Sequence, residues 1–112
     1  MKELTNKVVK FRDQRDWKQF HNPKDLSISL VLEANEVLEH FQWKSPEEMT
    51  IHVKQNKKEI SKELSDVLYW VLLMSHDLDI DVEKAFLTKL KENAKKYPVK
   101  KAKGSHKKYT EL

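Results

Sequence analysis

The sequence has no cysteine, and its 112 residues include only one glycine and three prolines. The lack of cysteine excludes disulfides, thiolate nucleophiles and cysteine-ligated zinc sites. Because glycine and proline are the main breakers of regular structure, most of the chain is expected to be helical. The single glycine, Gly104, also excludes a glycine-rich phosphate loop. These absences predict an all-α fold that does not use P-loop chemistry.

Long apolar runs are also missing. No stretch approaches the ~20 apolar residues that span a bilayer, and the N-terminal residues MKELTNKVVKF lack the apolar core of a secretory signal. Hydrophobic residues make up 38% of the chain and charged residues 36%. We therefore expect a cytoplasmic protein with no membrane partner, and its length supports one hydrophobic core.

Acidic residues are absent from residues 95–108, which carry seven lysines. Without these seven, the remaining 15 basic and 18 acidic residues leave a net charge of −3, although the whole chain has +4. We predict a helical domain over residues 1–98 and a basic C-terminal extension over 99–112. Such a segment suits nucleotide phosphates or an acidic surface of a neighbouring subunit. Nucleic acid is not the expected partner, and a non-enzymatic module that binds nucleic acid or an acidic protein is the alternative.

Apolar spacing and capping residues predict four main helices, over roughly residues 2–15, 25–41, 45–78 and 82–96. Pro23 disfavours helix at Asn22, so the second helix is expected to begin near Asp25 or Ser27. The third helix begins with a capping box from Ser45 to Glu48 and has an expected joint around residues 55–58. Asp81 is the predicted cap of the fourth helix. Residues 99–112 have no apolar period and are expected to be extended or mobile.

Residues 67–74, VLYWVLLM, are apolar on every side of the third helix. A helix that is hydrophobic all round is buried all round. One four-helix bundle cannot easily cover all these sides, so we predict an oligomer with helices packed between subunits. The alternative is that this helix is simply central in a monomer.

The sequence has two pairs of acids whose members lie one helical turn apart: Glu33 with Glu36, and Glu63 with Asp66. Other acids repeat at this spacing, but these pairs border apolar helix faces, where solvated acids are not expected. Two carboxylates about 4 Å apart repel by roughly 4 kcal/mol at an effective dielectric constant near 20. Such a cluster favours a hard cation, so we predict Mg²⁺, or Mn²⁺, ahead of zinc. A carboxylate site of this kind suits binding a polyphosphate and activating water.

The pattern Glu33-x-x-Glu36, then 26 residues, then Glu63-x-x-Asp66 resembles the signature of the MazG-like all-α nucleoside triphosphate pyrophosphohydrolases. Further strings along nearly the whole chain resemble the dCTP pyrophosphatase branch of that family. These strings are Arg15-Asp16-Trp17, Gln19-Phe20-His21, Phe41-Gln42-Trp43-Lys44, Glu63-Leu64-Ser65-Asp66-Val67-Leu68, Tyr97-Pro98-Val99 and Lys108-Tyr109-Thr110-Glu111-Leu112.

The resemblance implies a homodimeric or homotetrameric helical bundle. It also implies Mg²⁺-dependent hydrolysis of a deoxynucleoside triphosphate, dCTP or a relative, to the monophosphate and pyrophosphate. The implied metal ligands are Glu33, Glu36, Glu63 and Asp66. Of these, Glu36 and Glu63 are also the candidate catalytic residues, and Glu36 is the candidate general base. The implied substrate contacts are Trp17, His21 and Trp43 at the base and sugar, Trp70 where the family often has a tyrosine, and Lys89, Asn93 and Lys96 at the phosphates.

The residues themselves support parts of this assignment. Trp17 and Trp43 lie at predicted helix ends, where core burial is least expected and a base could stack. Val8 stands where close relatives carry a histidine, so the resemblance leaves the base preference open. A di-iron carboxylate bundle is excluded because no glutamate has a histidine three residues later.

Overall fold

The structure is a computed structural model that describes residues 1–112, and it contains helices and turns but no strand. The all-α prediction is therefore confirmed. No helix has the length and apolar character needed to cross a membrane. The chain divides into two compact units, Met1–Asp79 and Ile80–Leu112. The elements in order are α1 (Lys2–Asp13), a 3₁₀ turn (Lys18–Phe20), α2 (Pro23–Glu39), α3 (Pro46–Asp77), α4 (Val82–Lys96), α5 (Val99–Ala102) and a second 3₁₀ turn (Tyr109–Glu111).

In the first unit, α1 and α2 both pack against α3. The fully buried apolar side chains are Leu26 of α2 with Leu72 and Leu73 of α3. The other residues of the apolar stretch 67–74 are only half-buried in the single chain. The first unit therefore has a narrow core, and much of its apolar surface remains open.

The predicted starts of α3 and α4 are confirmed. At α3, the Glu48 N–H donates to Ser45 Oγ at 3.2 Å, and the Ser45 N–H donates to Glu48 Oε1 at 3.1 Å. This reciprocal capping box satisfies two N–H groups that the helix leaves without partners. At α4, the Lys84 N–H donates to Asp81 Oδ1 at 3.0 Å.

The predicted start of α2 is wrong. This helix begins at Pro23, and Asn22 is its cap, with Oδ1 accepting from the Asp25 N–H at 2.9 Å. Proline suits the first helical position because its missing N–H would have had no partner there. The expected joint in α3 is confirmed, since the backbone leaves helical geometry at Asn56 (φ −124°, ψ 22°).

The expectation that residues 99–112 lack regular structure is wrong. They form the short helix α5 and the 3₁₀ turn Tyr109–Glu111. The Tyr109 ring packs edge-on against Tyr97 with centroids 6.0 Å apart, and Lys96 Nζ lies 4.9 Å from the Tyr109 ring centroid. Aromatic and cation–π contacts thus fold the C-terminal segment back on the end of α4.

Candidate metal centre and adjoining pocket

Four carboxylates meet where α2 packs against α3. Glu33 and Glu36 come from α2, and Glu63 and Asp66 come from α3. One oxygen from each lies within 4.8 Å of the others. The three-residue spacing puts each pair on one side of its helix, and the contact between the two helices completes the set. The structure therefore brings together all four acids predicted as metal ligands.

The proximity of these acids perturbs their protonation. The pKa of Glu63 is raised to about 7, first by its hydrogen bond with Glu36, then by partial burial and by the charges of Glu36, Asp66 and Glu33. Partial burial raises the pKa of Glu33, and the charges of Glu36 and Asp66 raise it further. Without a cation, the cluster thus retains a proton close to neutral pH, as like charges in one site require.

The cluster fits a divalent cation. Glu33 Oε2 is buried and has no hydrogen-bond partner, an arrangement that is costly for a carboxylate oxygen. All four donors are carboxylates, the ligands that Mg²⁺ and similar hard ions prefer. Glu36 and Asp66 are exposed, so water and substrate oxygens could complete the coordination of an ion.

A cavity of about 500 Å³ adjoins this cluster, which is within the usual size range of small-molecule sites. Glu33 and Asp66 form its acidic edge. The rest of its wall comes from α1, the following turn and α3, through Lys7, Val8, Phe11, Trp17, Tyr69 and Trp70. The wall is therefore largely aromatic beside a strongly acidic edge.

The aromatic side chains of the wall support one another by edge-to-face packing. Phe11 is 5.9 Å from Trp17 and 6.2 Å from Tyr69 between ring centroids. Tyr69 is 5.0 Å from Trp70, with the two rings inclined by 83°. Edge-to-face pairs are favourable and fix ring orientation, so the wall is preorganised for a flat ligand.

The predicted base-pocket residues occupy different places. Trp17 and Trp70 line the cavity. His21 does not line the cavity; its ring lies edge-on to Trp70 at 5.6 Å between centroids, and its Nδ1 is buried without a partner. Burial and the nearby Arg12 charge lower the pKa of His21. Trp43 is not part of this wall; the residue is 93% exposed, and its φ of 66° is unusual for a bulky residue.

Two wall residues, Lys7 and Tyr69, were not predicted as site residues. Val8 and Phe11 of α1 also line the cavity, although both have the spacing of core residues. A signal for Tyr69 was present, because it follows Asp66 by three residues and so shares its side of α3. Apolar spacing alone could not distinguish a residue that faces a core from one that faces a ligand cavity.

The predicted phosphate contacts, Lys89, Asn93 and Lys96, lie on α4 in the second unit. Lys89 Nζ is 3.7 Å from Glu92 Oε2, and both side chains are largely exposed. Asn93 is half-buried. Their contact with phosphate remains a prediction.

Comparison with known proteins gives concordant results. The MazG-like family model matches residues 28–112. The chain is 36% identical to dCTP pyrophosphatase 1 of Rattus norvegicus and 34% identical to dCTP pyrophosphatase 1 of Homo sapiens, with all of this chain and 67% of each relative covered. The crystal structure of a pyrophosphatase from Archaeoglobus fulgidus matches with a TM-score of 0.82 at 36% identity, covering 88% of this chain and 92% of that one.

Proposed function

Because this chain belongs to the MazG-like family, we propose that it hydrolyses deoxynucleoside triphosphates, dCTP among them, to the monophosphate and pyrophosphate with Mg²⁺. The general activity is that of a nucleoside triphosphate pyrophosphohydrolase, as its dCTP pyrophosphatase relatives and the pyrophosphatase structure indicate. The identity of the metal ion, the preferred base and the preferred sugar are what we propose beyond this general activity.

One observation carries the proposal: four carboxylates converge within 4.8 Å at the edge of an aromatic cavity. The cluster supplies the ligands for a cation that would bind a triphosphate, and the cavity supplies flat apolar surfaces for a base. A bound Mg²⁺ would offset the negative charge of the triphosphate oxygens and lower the pKa of a bound water. Neither the cluster nor the cavity alone would favour a nucleotide over another ligand.

The protein's own groups can orient the substrate and move a proton. Trp17 and Trp70 would hold the base at the cavity wall by stacking. A water would attack the α-phosphorus in line and form a new P–O bond. The bond between the α-phosphorus and the oxygen that bridges to the β-phosphorus would break, and pyrophosphate would leave. Glu36, the more exposed member of the Glu36–Glu63 pair, would accept the proton of that water.

The lining of the cavity bears on substrate choice. The Val8 side chain cannot form a hydrogen bond. Apart from the two acids at the edge, the side-chain polar atoms available to read a base are those of Lys7, Tyr69 and the two tryptophans. Stacking accepts every base because every base has a π-face. We therefore expect dCTP to be cleaved together with other dNTPs at rates that differ modestly.

Exposed apolar side chains support assembly of the protein into a homodimer or homotetramer. On α2, Val31, Leu32 and Leu38 are 57–62% exposed, and on α3, Ile51 and Leu64 are 56% and 54% exposed. Large apolar side chains exposed in this number are typical of proteins that bury them against another chain. Trp43 would then contact substrate only if a second chain brings its exposed ring to the cavity.

The activity is tested by incubating the protein with each dNTP and NTP and measuring pyrophosphate with and without Mg²⁺. We expect Mg²⁺-dependent release of pyrophosphate and monophosphate, with dNTPs ahead of NTPs. Release of orthophosphate in place of pyrophosphate would contradict the proposed bond cleavage. Cleavage of NTPs but not dNTPs would contradict the proposed sugar preference.

A further inference from the structure

A second polar cluster lies beside the acidic one. It contains His40, which caps the C-terminus of α2, and His52 and Asn56 of α3. His40 Nδ1 is 2.9 Å from His52 Nε2, and His52 Nδ1 is 3.1 Å from Asn56 Nδ2. On its other side, His40 Nε2 lies 3.9 Å from Glu63 Oε1. Hydrogen bonds thus join Asn56, His52 and His40 in one array. The 3.9 Å contact with Glu63 is longer than a hydrogen bond and brings this array beside the candidate metal centre.

The backbone fixes the direction of the hydrogen bonds in this array. Asn56 Nδ2 also lies 3.0 Å from the His52 carbonyl oxygen, which can only accept. The atom of the Asn56 amide that faces His52 must therefore be the nitrogen. An amide nitrogen donates and has no acceptor capacity, so His52 Nδ1 accepts from it and carries no proton.

The tautomer of His52 in turn fixes that of His40. Partial burial is the main cause that lowers the pKa of His52, so the neutral ring carries one proton, which must be on Nε2. That proton is donated to His40 Nδ1 across 2.9 Å. Since His40 Nδ1 accepts, the proton of a neutral His40 ring is on Nε2, which faces the Glu63 carboxylate.

We propose that His40 is a positioning residue of the metal centre, and that Asn56, acting through His52, sets the tautomer in which His40 Nε2–H is directed at Glu63. The role at the metal rests on the proposed function, whereas the tautomer stands independently. Donors that hold a ligating carboxylate from outside fix its orientation, and their loss lowers metal affinity by about 10–100-fold. Both His40 and Glu63 are largely sheltered from solvent, with side chains 15% and 23% exposed.

The donor at the start of this array lies at the joint in α3. In a regular helix, the carbonyl of residue 52 accepts from the backbone N–H of residue 56. The side chain of Asn56 donates to the same carbonyl, and the backbone of Asn56 leaves helical geometry. Asparagine readily makes such local hydrogen bonds, which compete with regular helical geometry. The irregular turn thus provides the fixed donor at the start of the array.

The tautomers can be measured by long-range ¹H–¹⁵N NMR of the histidine rings in the metal-free full-length protein, well above the ordinary histidine pKa of ~6.5. We expect His40 and His52 both to carry their proton on Nε2. Asn56→Ala should give mixed tautomers at both rings, whereas Gln55→Ala, at the exposed neighbouring position, should leave them unchanged. A proton on Nδ1 of His40 in the unaltered protein would overturn the inference.

Two substitutions at His40 test the role at the metal. A glutamine side chain would keep an N–H donor near the position of Nε2, whereas the shorter asparagine side chain would not reach it. We expect His40→Asn to weaken Mn²⁺ binding, followed by electron paramagnetic resonance, about 10-fold, and His40→Gln to stay within about 3-fold of the unaltered protein. Circular dichroism melting would check that both variants fold.

The outcomes separate the two proposals. Equal metal affinities for His40→Gln and His40→Asn would overturn the positioning role while the proposed function stands. Failure of the unaltered protein to bind Mn²⁺, with the expected tautomers present, would contradict both the metal centre and the positioning role but leave the hydrogen-bonded array intact.

Discussion

Arg12 Nη1 lies 2.7 Å from Asp77 Oδ2, joining the end of α1 to the last residue of α3. The Arg12 side chain has no exposed surface, whereas Asp77 is 18% exposed. Arg12 Nε also lies 3.2 Å from Asp13 Oδ1. Because α1 carries part of the cavity wall, this ion pair holds that wall against α3.

Asp77→Ala should leave the buried guanidinium without its main partner. We expect the free energy of unfolding to fall by about 3 kcal/mol, because the guanidinium would remain buried and charged without a carboxylate to compensate it. Urea denaturation measures this loss. Asp13→Ala is the control, because Asp13 is half exposed and its loss should cost less than about 1 kcal/mol. Equal losses for the two variants would argue against a special role for Asp77.

Glu63→Gln keeps the shape of the side chain but removes a negative charge from the carboxylate cluster. Pyrophosphate release from dNTPs should fall by about 100-fold or more, in line with the loss of one key electrostatic group in an active site. Helical content, measured by circular dichroism, should not change. Glu59→Gln is a matched control, because Glu59 lies one turn earlier on α3 and pairs with Lys62 on the surface. Retained turnover in Glu63→Gln would remove Glu63 from the site.

Metal binding should depend on pH through the proton that Glu63 holds near neutral pH. The pKa of Glu63 is raised to about 7 in the metal-free protein, and a cation requires the deprotonated carboxylate. Mg²⁺ affinity should therefore rise as the pH increases through about 7 and level off above it. Calorimetry in buffers of different ionisation enthalpy should detect proton release on binding near neutral pH. Affinity that is flat between pH 6 and 8, roughly one unit either side of that pKa, would contradict the raised pKa of Glu63.

Trp17→Ala should weaken binding of dCTP more than binding of inorganic triphosphate. Trp17 lines the aromatic wall, and loss of a stacked base costs about 1–3 kcal/mol. Inorganic triphosphate has no base, so its affinity should change little.

Trp43→Ala should show the same pattern only under conditions where the protein is assembled, because Trp43 is 93% exposed in one chain. Equal losses for both ligands would argue against stacking.

The sequence predicted the elements whose signals are local. Ser45 and Asp81 mark helix starts through side-chain hydrogen bonds within one turn, and both caps are present. The start of α2 was placed too late because Pro23 indicated a break, although Asn22 followed by proline is also a good helix start. The turns in residues 99–112 depend on contacts such as Tyr97 with Tyr109, which apolar periodicity does not report.

In the candidate site too, the features with local signals were predicted and those that depend on long-range packing were not. The four acids share a spacing of three residues and an apolar setting, and those two signals indicated that they meet. The His40–His52 contact was not predicted, because it joins two helices and depends on the irregular backbone at Asn56. The cavity wall was hidden for a different reason: Phe11 has the spacing of a core residue, and only the packing of α1 on α3 decides that it faces a ligand cavity.

A crystal structure with Mg²⁺ and a non-hydrolysable dCTP analogue tests the central claim most directly. We predict an ion about 2.0–2.1 Å from carboxylate oxygens of the cluster, in contact with triphosphate oxygens, and a base against Trp17 or Trp70. A triphosphate bound elsewhere, with Glu33, Glu36, Glu63 and Asp66 directed into solvent and no ion among them, would contradict the account.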